Sequence, residues 1–251
     1  MNEPATAALH RPRFTIITPS FNSAGEVADL AESLRAQTFT DFEWVVQDGG
    51  STDKTVEIVL SSNVPNLDCV SEKDTGISDA YNRAVLRATG EYFLFMGADD
   101  RLADNDVLER LASHLDGLQV RPTAVLANAR LGDVRIFRSR ISRATKVINT
   151  VHHQGAIYAR EIFDKFRFRE DIPVMADYGL TLTLLSHDAK LSYSDVVITI
   201  CGVDGVSNST SELANYWDMN KVRCDTMSGI ESFGYLCVGV ANIARRKVFH
   251  R

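Results

Sequence analysis

Three acids, Asp48, Asp74 and Asp99, each follow a short apolar run within the first hundred residues. The clearest case is Tyr92-Phe93-Leu94-Phe95-Met96-Gly97-Ala98-Asp99-Asp100, a buried-strand pattern that runs straight into two adjacent carboxylates. A continuous apolar run bounded by Gly suits the centre of a parallel sheet. Open α/β sheets bind ligands just outside the carboxyl ends of their strands. Hard carboxylate oxygens at Asp99 and Asp100 would suit Mg²⁺ or Mn²⁺ holding a diphosphate. The competing reading is a turn whose Asp caps the next helix. Asp177 offers a second chemistry. It follows the apolar Val174-Met175-Ala176 at the start of a helical pattern. A carboxylate there can take a proton from a hydroxyl within hydrogen-bond reach, and apolar neighbours raise its basicity. It can equally cap its own helix. The neighbouring pair His152 and His153 invites a metal reading, but adjacent residues on a strand point to opposite faces. One is therefore read as a pocket hydrogen bonder and the other as packing.

The elements that would position these acids follow from local pattern. Residues 14–18 predict a strand stopped by Pro19. Ser23-Ala24-Gly25-Glu26 has capping-box form and opens a predicted helix to about Gln37, with Val27, Leu30, Ala31 and Leu34 at helical spacing. Strands are expected at 43–47, 68–71 and 93–96, with helices at 55–60 and 77–88. This β-α-β-α-β-α-β order implies a parallel, Rossmann-like sheet with right-handed crossovers. Three successive strands then deliver Asp48, Asp74 and Asp99 to one sheet edge, where Asp48 is suited to accept hydrogen bonds from a base or ribose. The second half is less regular. Strands are expected at 124–127 and 134–138 around a Gly132-Asp133 turn, and at 155–158 and 196–201. A helix is expected at 177–186, with Leu180, Leu182, Leu184 and Leu185 packing inward, and terminal helices at 212–223 and 230–245. The organisation expected is a tail over 1–12, a nucleotide-binding half over 13–104, an acceptor and catalytic half of the same domain over 105–210, and C-terminal helices over 211–251.

Composition narrows the function classes. A chain of 251 residues with 45% hydrophobic residues can build one large α/β domain or two small ones. A net charge of −6 gives nucleic acid no electrostatic footing. The four cysteines are scattered without a C-x-x-C pair, which argues against zinc or a disulfide framework and fits a reducing, cytoplasmic compartment. The first dozen residues lack the apolar core of a signal peptide. No apolar stretch approaches the roughly 18 residues that would span a bilayer. The longest, 234–244, runs into Arg245-Arg246-Lys247. The chain therefore reads as soluble, or as lying on the inner face of a membrane through that helix. The alternative for the same helix is core packing with a solvated basic end. The first predicted strand is followed by Pro19-Ser20-Phe21-Asn22, with no G-x-G-x-x-G, and no P-loop occurs anywhere.

Taken together, Thr18-Pro19-Ser20-Phe21-Asn22, Asp48-Gly49-Gly50-Ser51-Thr52-Asp53, the segment from Asp74 to Asn82, and Gly97-Ala98-Asp99-Asp100 resemble the family-2 glycosyltransferases of the GT-A fold. The match in order and spacing runs from about Phe14 to Asp104. Its Gly76 to Asn82 stretch is similar to a branch that assembles bacterial surface polysaccharides. The resemblance implies an inverting transfer of a sugar from a nucleotide-diphosphate donor to a sugar or lipid-linked glycan acceptor. It assigns Thr18, Pro19, Ser20, Asn22, Asp48, Asp74, Asp79 and Asn82 to the donor. Asp99 and Asp100 would hold Mg²⁺ or Mn²⁺, although Gly97 stands where the pattern has its first acid. His153-Gln154 resembles a segment beneath the donor sugar, and the segment around Asp177 resembles the one carrying the catalytic base. Residues 202–207 resemble a late loop that closes over the diphosphate. No Q-x-x-R-W motif occurs, so one sugar per acceptor is expected. Two alternatives stand beside this reading: a nucleotide-sugar-binding pseudoenzyme, motivated by Gly97, and a sugar-phosphate nucleotidyltransferase.

Overall fold

Short apolar runs and amphipathic helices alternate through the first hundred residues, and the chain folds on that rhythm. The computed structural model describes residues 10–132, 135–172, 174–186, 189–202 and 211–249. Strands β1 (Phe14–Ser20), β2 (Phe42–Asp48), β3 (Leu67–Ser71) and β4 (Tyr92–Phe95) lie side by side in the order β3-β2-β1-β4, all parallel. Helices α1 (Val27–Arg35), α2 (Thr55–Ser61) and α3 (Ile77–Arg87) make the crossovers. The sheet continues past β4 through β8 (Ala156–Ala159), β6 (Ala124–Leu131), β9 (Leu191–Cys201) and β5 (Arg101–Leu102), with β7 (Arg135–Arg138) paired to β6. Because β8 is antiparallel to both β4 and β6, and β9 is parallel to β6, the long strands all point one way. Their carboxyl ends share one edge. The remaining helices are α4 (Val107–Asp116), α5 (Asp177–Ser186), α6 (Glu212–Thr226) and α7 (Gly229–Phe249).

Period-two alternation sorts the apolar side chains onto two faces. Ile16, Trp44 and Leu94 pack with Leu30 and Leu34 of α1 and Leu108 and Leu111 of α4. Ile17, Val45, Phe93 and Phe95 pack with Tyr81 and Ala84 of α3 and with Tyr178, Leu180 and Leu182 of α5. Both faces of the central strands are covered, as the all-apolar run in β4 requires.

Several local expectations are corrected. Strand β1 continues through Pro19 to Ser20, because its pairing with β4 has already ended at Ile17 and a missing amide there costs little. Ser23 is not a side-chain cap. Its Oγ donates to Phe21 O, its carbonyl receives the Glu26 and Val27 amides, and α1 starts at Val27 and ends at Arg35. Helix α4 was passed over, although Val107, Leu108, Leu111, Ala112 and Leu115 form a buried stripe at helical spacing. Strand β9 begins at Leu191, not near 196. His152 and His153 do not lie on a strand. His153 opens a single 3₁₀ turn, and the two rings are parallel at 5.8 Å. Asp133 of the expected turn lies outside the described residues. No helix among those described is long and apolar enough to cross a membrane.

Candidate active site

The parallel strands bring Asp48, Asp74 and Asp99 to one edge of the sheet, but the three carboxylates are in different situations. Asp48 ends β2 fully buried. Its Oδ1 accepts from Ser20 Oγ (3.0 Å) and Ser51 Oγ (2.5 Å). Its Oδ2 accepts from Ser71 Oγ (2.6 Å) and from the amides of Ser51 (2.8 Å) and Gly50 (3.1 Å). Burial alone would raise its pKa, but the Ser51, Ser71 and Ser20 donors outweigh it and hold the carboxyl below its ordinary value. A carboxylate has about four lone-pair sites. Asp48 has none to spare for a base or ribose, and instead shapes the loop after β2. That loop is stitched to the one after β1. Asn22 Oδ1 accepts from the Thr52 amide (2.9 Å), and the Ser23 amide donates to Thr55 Oγ1 (2.7 Å). Thr18 is likewise turned inward, accepting from Trp44 Nε1 (3.0 Å). Pro19 and Asn22 remain at the surface of the edge.

Asp74 is the open acid of this group. It is half-buried, caps the turn by accepting from the Gly76 amide (3.0 Å), and its pKa is pushed up by burial and by the charges of Asp79 and Asp48. Asp79 and Asn82, expected at the donor, are used within the fold. Arg83 clamps Asp79 through two bonds of 2.8 Å, and the Thr75 amide adds a third. Asn82 exchanges two 2.9 Å bonds with the backbone of Phe168.

Asp99 and Asp100 also differ. Asp100 is 1% exposed and receives Gly97 N (2.6 Å), Gln154 Nε2 (2.7 Å) and Gly202 N (3.2 Å). Burial, with the Asp99 charge, pushes its pKa up to about 6 against those donors. It ties together the ends of three chain segments and is not an open ligand; Gln154 is committed to it. Asp99 is half-buried and accepts no hydrogen bond among the described residues. Its carboxylate lies over Gly97 and against Gly202. A Cβ at Gly97 would come within 2.7 Å of Asp99 Oδ1, and one at Gly202 would collide with the same carboxylate. Gly97 thus makes room for Asp99 as it is oriented here, which accounts physically for the missing first acid.

Across the crevice stands Asp177, the first residue of α5. No backbone amide among the described residues donates to its side chain, so it does not cap its helix. Its Oδ2 accepts from Asn149 Nδ2 (2.9 Å) and lies 3.4 Å from His153 Nδ1. Asn149 is fixed in turn by the Val151 amide and Thr181 Oγ1, both at 3.2 Å. Its other carboxylate oxygen, Oδ1, accepts no hydrogen bond among the described residues. His152, beneath His153, has its pKa lowered to about 4 by burial and by the His153 charge. Its Nδ1 is buried without a partner.

Tyr81, on α3, links the two sides. Its ring is buried against Phe95 (5.0 Å) and Phe168 (5.1 Å). Burial, then the charges of Asp100, Asp177 and Asp99, hold its phenol well above its ordinary pKa. The hydroxyl therefore feels all three acids, stays protonated and has no partner among the described residues. Sequence reasoning quoted Tyr81 inside a motif without giving it a role, and passed over Asn149 entirely. The buried spacing of Tyr81, Ala84 and Ala88 was the available signal for the first; nothing local marks the second.

No cluster of three or more His, Cys, Asp or Glu side chains among the described residues would hold a cation by itself. Asp99 nonetheless fits one. It is an unbonded hard-oxygen donor in an acidic crevice, and Mg²⁺ commonly takes one or two carboxylates with the remaining positions from phosphates and water. The expected closing loop, 203–207, lies outside the described residues.

Known proteins resemble this chain throughout. Residues 15–167 match the description "Glycosyl transferase family 2". A "PGL/p-HBAD biosynthesis glycosyltransferase" of Mycobacterium tuberculosis is 34% identical over 205 residues, covering 74% of this chain and 75% of that protein. Among solved structures, Staphylococcus aureus TarS 1–349 in complex with UDP-GlcNAc superposes with a TM-score of 0.71 at 23% identity, over 91% of this chain and 71% of that one. The longer TarS structure is matched over 43% of its chain. The mannosyltransferase PcManGT of Pyrobaculum calidifontis, in complex with GDP-Man and Mn²⁺, superposes with a TM-score of 0.64 at 19% identity, over 97% and 79%. At these identities the superpositions speak to the fold, which is GT-A.

Proposed function

The chain belongs to glycosyl transferase family 2, and from that premise we propose that it moves a sugar from a nucleotide-diphosphate donor to an acceptor hydroxyl with inversion. The observation that carries this reading is the Asp177 carboxylate. It is held by Asn149 rather than spent on its helix, and its charge, like that of Asp99, acts on the buried Tyr81 phenol. Asp177 Oδ1 takes the proton of the acceptor hydroxyl as that oxygen bonds to the anomeric carbon. The bond from that carbon to the diphosphate oxygen breaks on the opposite face, and the nucleoside diphosphate leaves with the electron pair. Asn149 orients the base, and a base positioned this way contributes about 10²–10⁴-fold.

Asp99 would hold the divalent cation, Mg²⁺ or Mn²⁺, whose chemistry when bound is to neutralise charge on the departing diphosphate. The nucleotide lies along the β1 and β2 loops in this proposal, with Asp74 as the acid free to meet it. Asp48, Asp79 and Asn82 keep those loops in shape. The acceptor is a sugar or lipid-linked glycan of the cell surface, approached from the α5 side. The nucleotidyltransferase alternative falls away with the family assignment. The pseudoenzyme alternative is an outcome of the test.

The test is nucleotide-sugar turnover beside nucleoside-diphosphate binding, with and without Mn²⁺, for wild type, Asp177→Asn and Asp99→Ala. Asp177→Asn is expected to keep binding and lose transfer by about 10²–10⁴-fold. Asp99→Ala is expected to lose the Mn²⁺ enhancement of binding. Full transfer by folded Asp177→Asn would overturn the base assignment, and no transfer by wild type with good binding would favour the pseudoenzyme.

A further inference from the structure

A large cavity lies apart from the acidic crevice. It measures about 750 Å³ and lies between α5, α6, the loop before β6 and the segment following β8. That is within the usual range for small-molecule pockets, roughly 300–1,000 Å³. Its walls are largely carbon, with Ile162, Phe166, Leu184 and Val222 contributing most of the large side chains. Its rim is basic, in a chain that is net acidic. Arg121, Lys165, Arg167, Arg169 and Lys190 border it against two acids, Glu161 and Asp225. Both acids are already paired, Glu161 with Arg121 (2.8 Å) and Asp225 with Arg169 (2.8 Å). Lys165, Arg167 and Lys190 make no ion pair among the described residues, and all three are exposed.

An apolar interior with unpaired cations at the mouth is complementary to a molecule with one apolar body and one anionic head. Neither half of the site explains the other: a greasy cavity needs no cations, and a basic patch needs no cavity. Three cations with no ion pair among the described residues balance a phosphate, with its charge of about −1.5 to −2, better than a single carboxylate. We propose that this cavity binds a phosphate-headed amphiphile, its hydrocarbon chain between α5 and α6 and its phosphate at Lys165, Arg167 and Lys190. The site is separate from the acidic crevice. Ala176, just before α5, and Gly179, in its first turn, line it, while Asp177 between them is bonded to Asn149. It does not depend on the transfer reaction proposed above.

Calorimetry on the full chain tests this with dodecyl phosphate, dodecanoate, dodecyl maltoside and inorganic phosphate, each below its micelle concentration. Saturable one-to-one binding of dodecyl phosphate, at least tenfold tighter than dodecyl maltoside or inorganic phosphate, is expected, with dodecanoate between. The double variant Lys165→Glu, Arg167→Glu changes only exposed side chains and should lose tenfold or more for dodecyl phosphate while leaving dodecyl maltoside unchanged. Thr183→Trp, which fills the cavity, should weaken both. Equal binding of the neutral and anionic detergents, binding of inorganic phosphate as tight as dodecyl phosphate, or no binding at all would each overturn the proposal. Should Thr183→Trp not fold, the charge-reversal variant alone still decides it.

Discussion

At the scale of single residues, the site is a balance of negative charges around one phenol. Tyr81 is held neutral by burial and by the charges of Asp100, Asp177 and Asp99, so its hydroxyl keeps a proton to donate. Tyr81→Phe keeps the ring that packs on Phe95 and Phe168 and removes the donor. A hydrogen bond to a charged or strongly polar partner contributes about 1.5–3 kcal/mol. The variant should therefore fold normally and lose at least tenfold in kcat/KM. Unchanged kinetics would reduce Tyr81 to packing. The contrast with Asp177 shows what was legible. Asp177 was singled out because an acid after an apolar run at a helix start is a local signal. Tyr81 in a helix reads as an ordinary core aromatic until the fold sets three acids around it. Asp48 erred in the other direction: an acid at a strand end looks available, and only the serines at 20, 51 and 71 reveal that its oxygens are already taken.

At the scale of elements, the proposed base, Asp177, depends on a loop that a distant helix holds. Arg223 of α6 is completely buried and makes no ion pair among the described residues. Its Nε donates to Lys146 O (2.8 Å) and its Nη2 to Val147 O (2.6 Å), while the guanidinium lies 5.5 Å from the Tyr178 ring centroid. Tyr178 Oη donates to Thr145 O (2.6 Å) in the same loop. Two residues after Val147 comes Asn149, the partner of Asp177. Arg223→Met keeps an unbranched apolar stem but frees two buried carbonyls, each costing about 1–3 kcal/mol if left unpaired. At about 2–4 °C per kcal/mol for a chain of this size, the midpoint should fall by roughly 4–24 °C. Below that midpoint, kcat should fall about tenfold with nucleoside-diphosphate affinity within twofold. A stability loss with unchanged kcat would mean the loop keeps its form without α6. The crossover helices were readable because strand and helix periods alternate cleanly before residue 100. Strand β8 was legible to within one residue, whereas the two residues of β5 carry no period to read. The arginine's role was unreadable, since its partners are carbonyls 76 and 77 residues away.

At the scale of the whole molecule, one sheet edge gathers the acids while cations and exposed apolar groups gather elsewhere. The α6–α7 pair leaves Leu213 and Trp217 exposed on α6, and Ile230, Phe233, Cys237 and Val240 exposed at spacings of three and four on α7. Ile230 is 88% exposed, which core packing would not leave. Part of α7 does pack, through Leu236, so the core-packing alternative holds for one side of the helix only. The outer stripe is followed by Arg245-Arg246-Lys247, and each basic residue near an anionic bilayer adds about 1 kcal/mol. From this pairing of apolar face and basic end, the prediction is that a membrane surface carrying anionic lipid covers the stripe. Phe233→Glu with Ile230→Glu should abolish co-sedimentation with vesicles containing phosphatidylglycerol. Wild type should bind those vesicles, release them as salt rises, and ignore purely zwitterionic ones. Equal binding to both vesicle types would remove the electrostatic part. No binding to either, together with a dimer that the same substitutions dissociate, would assign the stripe to a second copy of the chain instead.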